Sequence, residues 1–258
     1  LNFILASAFY TKPCFVHVRE MPAGFIMKAF KISLVASRAR LIFNSKAVMK
    51  AFSLPGTVVY NGVNVSKCQK VYKQDRKRSV LFVGRLNDWK GADLLLKSIK
   101  KIEHTGLVGR VDVVGDYFGD QRQYLNELKE LADEMQSVHI NFVGFVYDTS
   151  KYFSDADICV VPSRKPEPFG RVVIEAMANA LPVIVADHGG MSEIIEDNVT
   201  GYKFIPNCED SLSSRIEYVL KNQNLAKVVS DAALAKYEEC FTETAYQKNI
   251  SDTIFDNA

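Results

Sequence analysis

The sequence predicts an α/β protein: a Rossmann-like domain with a doubly wound parallel sheet, preceded by a partial second Rossmann-like domain. Three observations predict it. From residue 79 onward, five short β-branched runs (79–84, 110–115, 138–144, 157–163 and 181–186) alternate with longer amphipathic segments. Each run is nearly continuous in apolar residues, as strands covered on both faces are, and the helical segments between them make the strands parallel. Before residue 61 the same alternation recurs in shortened form, with strands at 14–18, 40–44 and 57–60 and helices around 22–37 and from Ser45.

The elements follow in order. Leu1 to Tyr10 is largely apolar, has no basic segment ahead of it and meets Lys12 and Pro13 almost at once, which argues against a secretory signal. It reads as the end of a buried helix, and with only three strands after it, residues 1–65 are expected to be an N-terminal domain lacking its start. Residues 61–78 are polar, open on Asn61-Gly62 and close on a Lys/Arg cluster, which makes them the linker candidate. Residues 66–240 then carry the sheet domain. Its helices show in Leu95, Ile99 and Ile102, and again in Tyr124, Leu125, Leu128 and Leu131, at helical spacing. Residues 241–258 hold a last helix, over about 242–255.

Composition narrows the function. With 258 residues, 48% of them hydrophobic and 24% charged, the chain can bury a sizeable core. A net charge of +2 is too slight for a nucleic-acid partner, which needs a concentrated basic footprint. Five widely spaced cysteines without a C-x-x-C suggest neither a disulfide framework nor a zinc cluster, and fit a reducing cytoplasm. The longest apolar stretch, 172–186, is interrupted by Glu175, Asn179 and Pro182, short of the roughly 18 residues a membrane helix needs. The expected location is therefore cytoplasmic, with peripheral association at the inner membrane face left open.

Two segments carry chemistry. In Gly84-Arg85-Leu86-Asn87-Asp88-Trp89-Lys90-Gly91 a strand ends in Gly-Arg and a lysine precedes a helix. Ligands of open α/β sheets bind at such strand ends, where Arg85 could grip a diphosphate with its fork and Lys90 as a point charge; both could equally be solvated loop cations. In Pro162-Ser163-Arg164-Lys165-Pro166-Glu167-Pro168-Phe169-Gly170-Arg171, continuing to Glu175, a strand enters a Pro-rich loop and Phe169-Gly170 opens a helix. The amides and dipole of a helix N-terminus suit phosphate, and carboxylates accept from sugar hydroxyls. The plainer alternatives are an exposed loop charge for Glu167 and an arginine partner for Glu175.

Together these residues resemble the retaining glycosyltransferases of family four, also called group 1. The ordered set is Gly84-Arg85 with Lys90-Gly91; Asp157 with Val161-Pro162-Ser163; Glu167-x-Phe169-Gly170 with Glu175-Ala176-Met177-Ala178; Pro182-Val183; Gly189-Gly190 with Glu193; and Thr200-Gly201. The resemblance implies a GT-B fold, two Rossmann-like domains across a cleft. It implies that Arg85 and Lys90 bind the donor diphosphate, Glu167 the transferred sugar and Glu175 the ribose. Gly84, Phe169, Gly170 and Arg171 would contact the donor through backbone, and the Gly144–Val146 turn would lie near the base.

The same resemblance implies a UDP-sugar or GDP-sugar donor, no cofactor and no metal, a glycan or polyprenyl-linked acceptor, and a last helix that crosses back onto the first domain. At the end of the first strand, His17 and Arg19 occupy the region where the family places residues near the reacting sugar. Their alternatives are a His bonded to backbone and an Arg paired with Glu20. Ala180 stands where the family commonly has Gly.

Other classes fit less well. Asp155-Ala156-Asp157 is a D-x-D, but it precedes a buried strand, so Asp157 is expected to bond backbone rather than a metal. No G-x-G-x-x-G follows a strand, so Gly189-Gly190 is read as a close approach of backbone to the donor and not as a dinucleotide fingerprint. A non-catalytic nucleotide-sugar-binding module and a GT-B-fold epimerase or phosphorylase remain as rivals.

Overall fold

A computed structural model of the chain describes residues 13–65, 77–119 and 121–255. The opening apolar run and most of the expected linker lie outside the described residues.

The first unit is a three-stranded parallel sheet of β1 (Phe15–Val18), β2 (Arg40–Phe43) and β3 (Thr57–Val58), in that order. Helix α1 (Gly24–Ala36) and the short α2 (Lys46–Phe52) connect them. Ser45 starts α2 by accepting the Val48 N–H on its hydroxyl at 3.0 Å, the usual reason a serine stands before a helix. Val18, Leu34, Phe43, Val48 and Phe52 form a small core of their own.

The second unit is a six-stranded parallel sheet in the order β6-β5-β4-β7-β8-β9: β4 (Arg78–Val83), β5 (Val108–Val114), β6 (His139–Gly144), β7 (Ile158–Val161), β8 (Val183–Ala186) and β9 (Tyr202–Phe204). The chain steps outward from β4 to β6, then returns to the other side of β4 at β7. The reversal between β4 and β7 is the place where an open sheet leaves a crevice at its strand ends. Helices α3 (Ala92–Ile102), α4 (Arg122–Asp133), α5 (Ser150–Asp155), α6 (Arg171–Ala178), α7 (Met191–Ile194), α8 (Glu209–Lys221) and α9 (Gln223–Cys240) connect and cover the strands.

Three differences from the sequence reading have physical reasons. Strand β9 was not expected, because three residues are too few to show a period; its Tyr202 is nevertheless fully buried. The strand read over 157–163 shortens to β7, because the Asp157 carboxylate accepts the Ser79 N–H at 2.8 Å and Pro162 ends the ladder. That bond to backbone is the one expected of Asp157 within its D-x-D. The edge strand β6 is only half-buried, whereas β7 and β8 are buried throughout.

Ala180 adopts the left-handed conformation, φ 47°, which accounts for the family's glycine there. Among the described residues no helix is long and apolar enough to cross a membrane.

The two units touch. The rings of Tyr60, Phe169 and Phe241 meet with centroids 5.7–6.3 Å apart, and the Val63 N–H donates to Phe241 O at 3.0 Å. The last helix, α10 (Glu243–Phe255), brings Tyr246 to the end of β1, where Arg19 Nη2 donates to its hydroxyl at 2.7 Å.

Candidate functional site

The crevice is built by the loops after β4 and β7. Asn87 caps the single turn 88–90 by accepting the Lys90 N–H at 3.0 Å, and this turn aims the lysine inward. Lys90 Nζ then donates to Glu167 Oε1 at 2.8 Å, with the two side chains only 16% and 10% exposed. The Ser163 hydroxyl donates to the same carboxylate oxygen. Cation, carboxylate and hydroxyl thus converge from two loops 77 residues apart in sequence. Neither Glu167 nor Lys90 is a solvated loop charge.

The loops are stapled to one another. The Arg164 N–H donates to Trp89 O at 2.7 Å, Trp89 Nε1 donates to Lys165 O at 3.2 Å, and the Arg164 guanidinium reaches Asp93 at 2.5 Å. Gly189 and Gly190 lie against the loop from behind: the Gly190 N–H donates to Glu167 O at 2.8 Å, and a Cβ on either glycine would stand 2.6 Å from loop backbone. The close approach these glycines permit is that of the 166–169 backbone. The sequence alone leads one to expect the donor in that place.

Arg85 is exposed at the end of β4, and among the described residues it has no ion pair. Gly84 places it there, its own N–H held by Val114 O at 2.9 Å. Gly170 opens α6 with φ 113°, and Phe169 is buried in the three-ring contact with Tyr60 and Phe241. Glu175 is not an unpaired acceptor. Its carboxylate takes Arg171 Nε at 2.9 Å, one helical turn away, and burial holds its pKa above the usual carboxylate range against the pull of that arginine.

Val146 packs partly buried against the sheet core, while its neighbours Phe145 and Tyr147 are exposed and meet edge to face at 5.0 Å. Among the described residues no three His, Cys, Asp or Glu side chains gather into a metal-sized cluster.

His17 and Arg19 form a separate group at the end of β1. Arg19 Nε donates to His17 Nδ1 at 3.3 Å, and Tyr246 stacks on the imidazole at 6.1 Å. Arg19 is thus engaged with His17 and Tyr246 rather than with Glu20. Burial, then the Arg19 charge, pulls the His17 pKa from 6.5 to about 4, so the ring is neutral at pH 7. Because the folded value is depressed, acidification protonates the unfolded state first. Stability due to this group is expected to fall between pH about 6.5 and about 4 and to level off below. Denaturant midpoints across that window, compared with a His17→Gln variant, check it: a wild-type curve that tracks the variant would refute the buried neutral imidazole.

A family model described as glycosyl transferases group 1 matches residues 66–236, more than half of the chain. The chain belongs to this family. An uncharacterized glycosyltransferase of Methanocaldococcus jannaschii is 33% identical over 201 residues, 70% of this chain and 49% of that protein. The lipopolysaccharide 1,2-N-acetylglucosaminetransferase of Salmonella typhimurium is 28% identical over 85% of this chain and 63% of its own length. The chain thus spans about half of the first relative and less than two thirds of the second.

Among solved structures, HepE of Anabaena in complex with UDP superposes with a TM-score of 0.88 at 22% identity, covering 99% of this chain and 76% of that one. Sucrose-phosphate synthase of Thermosynechococcus elongatus gives 0.80 at 22%, over 100% and 71%. The fold is GT-B.

Within this group 1 glycosyltransferase chain, sequence reasoning left Ser163, Arg164, Tyr60 and Tyr246 without a role, and gave Glu193 a place in the motif but no contact. Ser163 and Arg164 stand in the same Pro-rich loop as Glu167 and are legible as its neighbours. Tyr60 and Tyr246 carried no local signal, since their contacts lie at sequence separations of 133 and 227.

Proposed function

We propose that this chain carries the donor half of a retaining, metal-independent glycosyltransferase that moves a sugar from a UDP-sugar to a glycan or polyprenyl-linked acceptor at the cytoplasmic side of a membrane. One observation carries the reading: the 2.8 Å contact of Lys90 with Glu167 at the switch point of the sheet, with Arg85 exposed beside it. The ammonium and guanidinium supply fixed positive charge where a diphosphate leaves, which lowers the barrier to an oxocarbenium-like transition state. Glu167, already oriented by Lys90 and Ser163, accepts from sugar hydroxyls. Glu175 meets the ribose after exchanging its contact with Arg171, whose side chain is 75% exposed. The turn at Val146 takes the base, and His17 and Arg19 face the reacting sugar from the first unit.

Support for uridine comes from the HepE structures, described as complexes with UDP and with UDP-glucose. The N-acetylglucosaminetransferase named above supports a glycan acceptor. Titration with UDP-glucose, UDP-N-acetylglucosamine and GDP-mannose, followed by nucleotide release and product anomer analysis by NMR, tests the reading. Binding and turnover of a UDP-sugar with retained configuration is the expected result. No binding to any nucleotide sugar, or an inverted product, would reject it.

A further inference from the structure

Glu193 stands on α7 of the second unit, yet its carboxylate ends in the first. Oε2 accepts the Lys46 N–H at 2.8 Å and Oε1 accepts that of Ala47, the opening amides of α2. Such amides have no partner within their own helix, and a carboxylate satisfies both their hydrogen bonds and the positive end of the dipole. The Tyr60 hydroxyl approaches Oε2 at 3.3 Å; burial, then the Glu193 charge, pushes its pKa up to about 12, so it stays a donor.

The contacts on either side of this cap lead to the loop that holds Glu167. The Ser45 hydroxyl, next to the capped amides, donates to Pro168 O at 2.6 Å. The Tyr60 ring stacks on Phe169 at 6.1 Å. From the other direction Gly190, three residues before Glu193, donates its N–H to Glu167 O. The Glu167–Phe169 segment is therefore held between α7 and the start of α2, and Glu193 is the charged group that joins those two helices.

We propose that Glu193 is a positioning residue that couples the two units: by capping α2 from across the boundary it fixes the Glu167 loop for recognition of the sugar part of the donor. The coupling rests on the proposed reading of Lys90 and Glu167 as a nucleotide-sugar site. Loss of the cap frees α2 and Tyr60 to move away from Pro168 and Phe169. The loop then loses its support on the first-unit side, while Arg85 stays at the end of β4, and Lys90 keeps its Asn87-capped turn and the Arg164–Trp89 link between the two loops.

The test uses the whole chain with Glu193→Ala, Glu193→Gln and Tyr60→Phe, read in two ways. Without ligand, amide hydrogen exchange at Lys46 and Ala47 is expected to speed up by about five- to tenfold in Glu193→Ala, the size of a lost cap, and by less in Glu193→Gln, which keeps an acceptor oxygen. With ligand, Glu193→Ala is expected to bind UDP as the wild type does but to lose the affinity added by glucose in UDP-glucose, and to lower kcat, with Glu193→Gln recovering part of both.

Unchanged exchange at Lys46 and Ala47 overturns the cap whatever the ligand does. Equal weakening of UDP and UDP-glucose reduces Glu193 to general support of the fold and overturns its positioning role. A wild type that binds neither nucleotide rejects the donor reading, and with it the positioning role, while the exchange measurement still decides the cap. If Glu193→Ala does not fold, Tyr60→Phe, which removes one hydroxyl and keeps the ring, must shift the UDP-glucose to UDP ratio in the same direction or the proposal fails.

Discussion

Replacement of Lys90 by alanine is expected to lower kcat/KM for donor turnover by about 10²- to 10³-fold, the usual effect of deleting one fixed donor from a site of developing negative charge. Three features make the effect large. The ammonium is mostly enclosed, so water cannot replace it; it is aimed by the Asn87-capped turn, so it needs no reorganisation; and it is the cation paired with Glu167. Truncation therefore removes positive charge from the site of the departing diphosphate and leaves a buried carboxylate with Ser163 as its one side-chain donor among the described residues.

The stability cost should stay below the ~3–5 kcal/mol seen when fully buried pairs are broken, because both side chains keep some solvent contact. Lys90→Arg should not rescue fully, since a planar fork replaces a compact point charge in a space shaped by Trp89 and Ser163. Steady-state kinetics on the whole chain beside a denaturant melt checks both parts. A kcat/KM within threefold of wild type, with the fold intact, would remove Lys90 from the mechanism.

Gly115→Ala is expected to destabilise the second unit by on the order of 3 kcal/mol or more, combining backbone strain with overpacking against a rigid neighbour. Gly115 follows β5 with φ 134°, and a Cβ built there would lie 1.9 Å from the Gly84 carbonyl oxygen. That neighbour is backbone and cannot rotate away. The Gly115 N–H also donates to Gly144 O at 2.9 Å, so the ends of β4, β5 and β6 are brought together at this point.

Any shift that relieves the clash moves Gly84 and the adjoining Arg85, so donor binding should weaken along with stability. Gly106→Ala is the control: its φ of 67° imposes strain, but nothing lies within 4 Å, and a loss of about 1 kcal/mol is expected. Urea midpoints of the two variants decide the point. Equal losses would mean that the close approach to Gly84 is not limiting.

How much was legible depended on whether a signal was local. Five of the six strands of the second unit, and its helices at Leu95–Ile102 and Tyr124–Leu131, are legible in the sequence, because burial on both faces or one face leaves a pattern there. Arg85, Lys90, Glu167 and Glu175 are singled out by their order and spacing. Glu175 shows the limit of that approach: the sequence gives it a carboxylate near a helix start, and Arg171 four residues earlier offers a ready partner, so only coordinates could say that the pair is made. The short strand at Tyr202 left no period, and the role of Gly189-Gly190 in receiving the 166–169 backbone could not be told from a role in receiving a ligand.

The sequence by itself determined that this is a parallel α/β chain of the group 1 glycosyltransferases, and which charged residues stand at its strand ends. Hydrophobic periodicity and motif spacing are properties of neighbouring residues, and survive without coordinates. Tertiary structure alone decided that Lys90 and Ser163 meet on Glu167, that Tyr246 covers His17, and that Glu193 crosses between units to cap α2. Apart from Ser163, which stands four residues from Glu167, those contacts join residues 77 or more positions apart, and their partners are set by strand order and helix placement rather than by any local period.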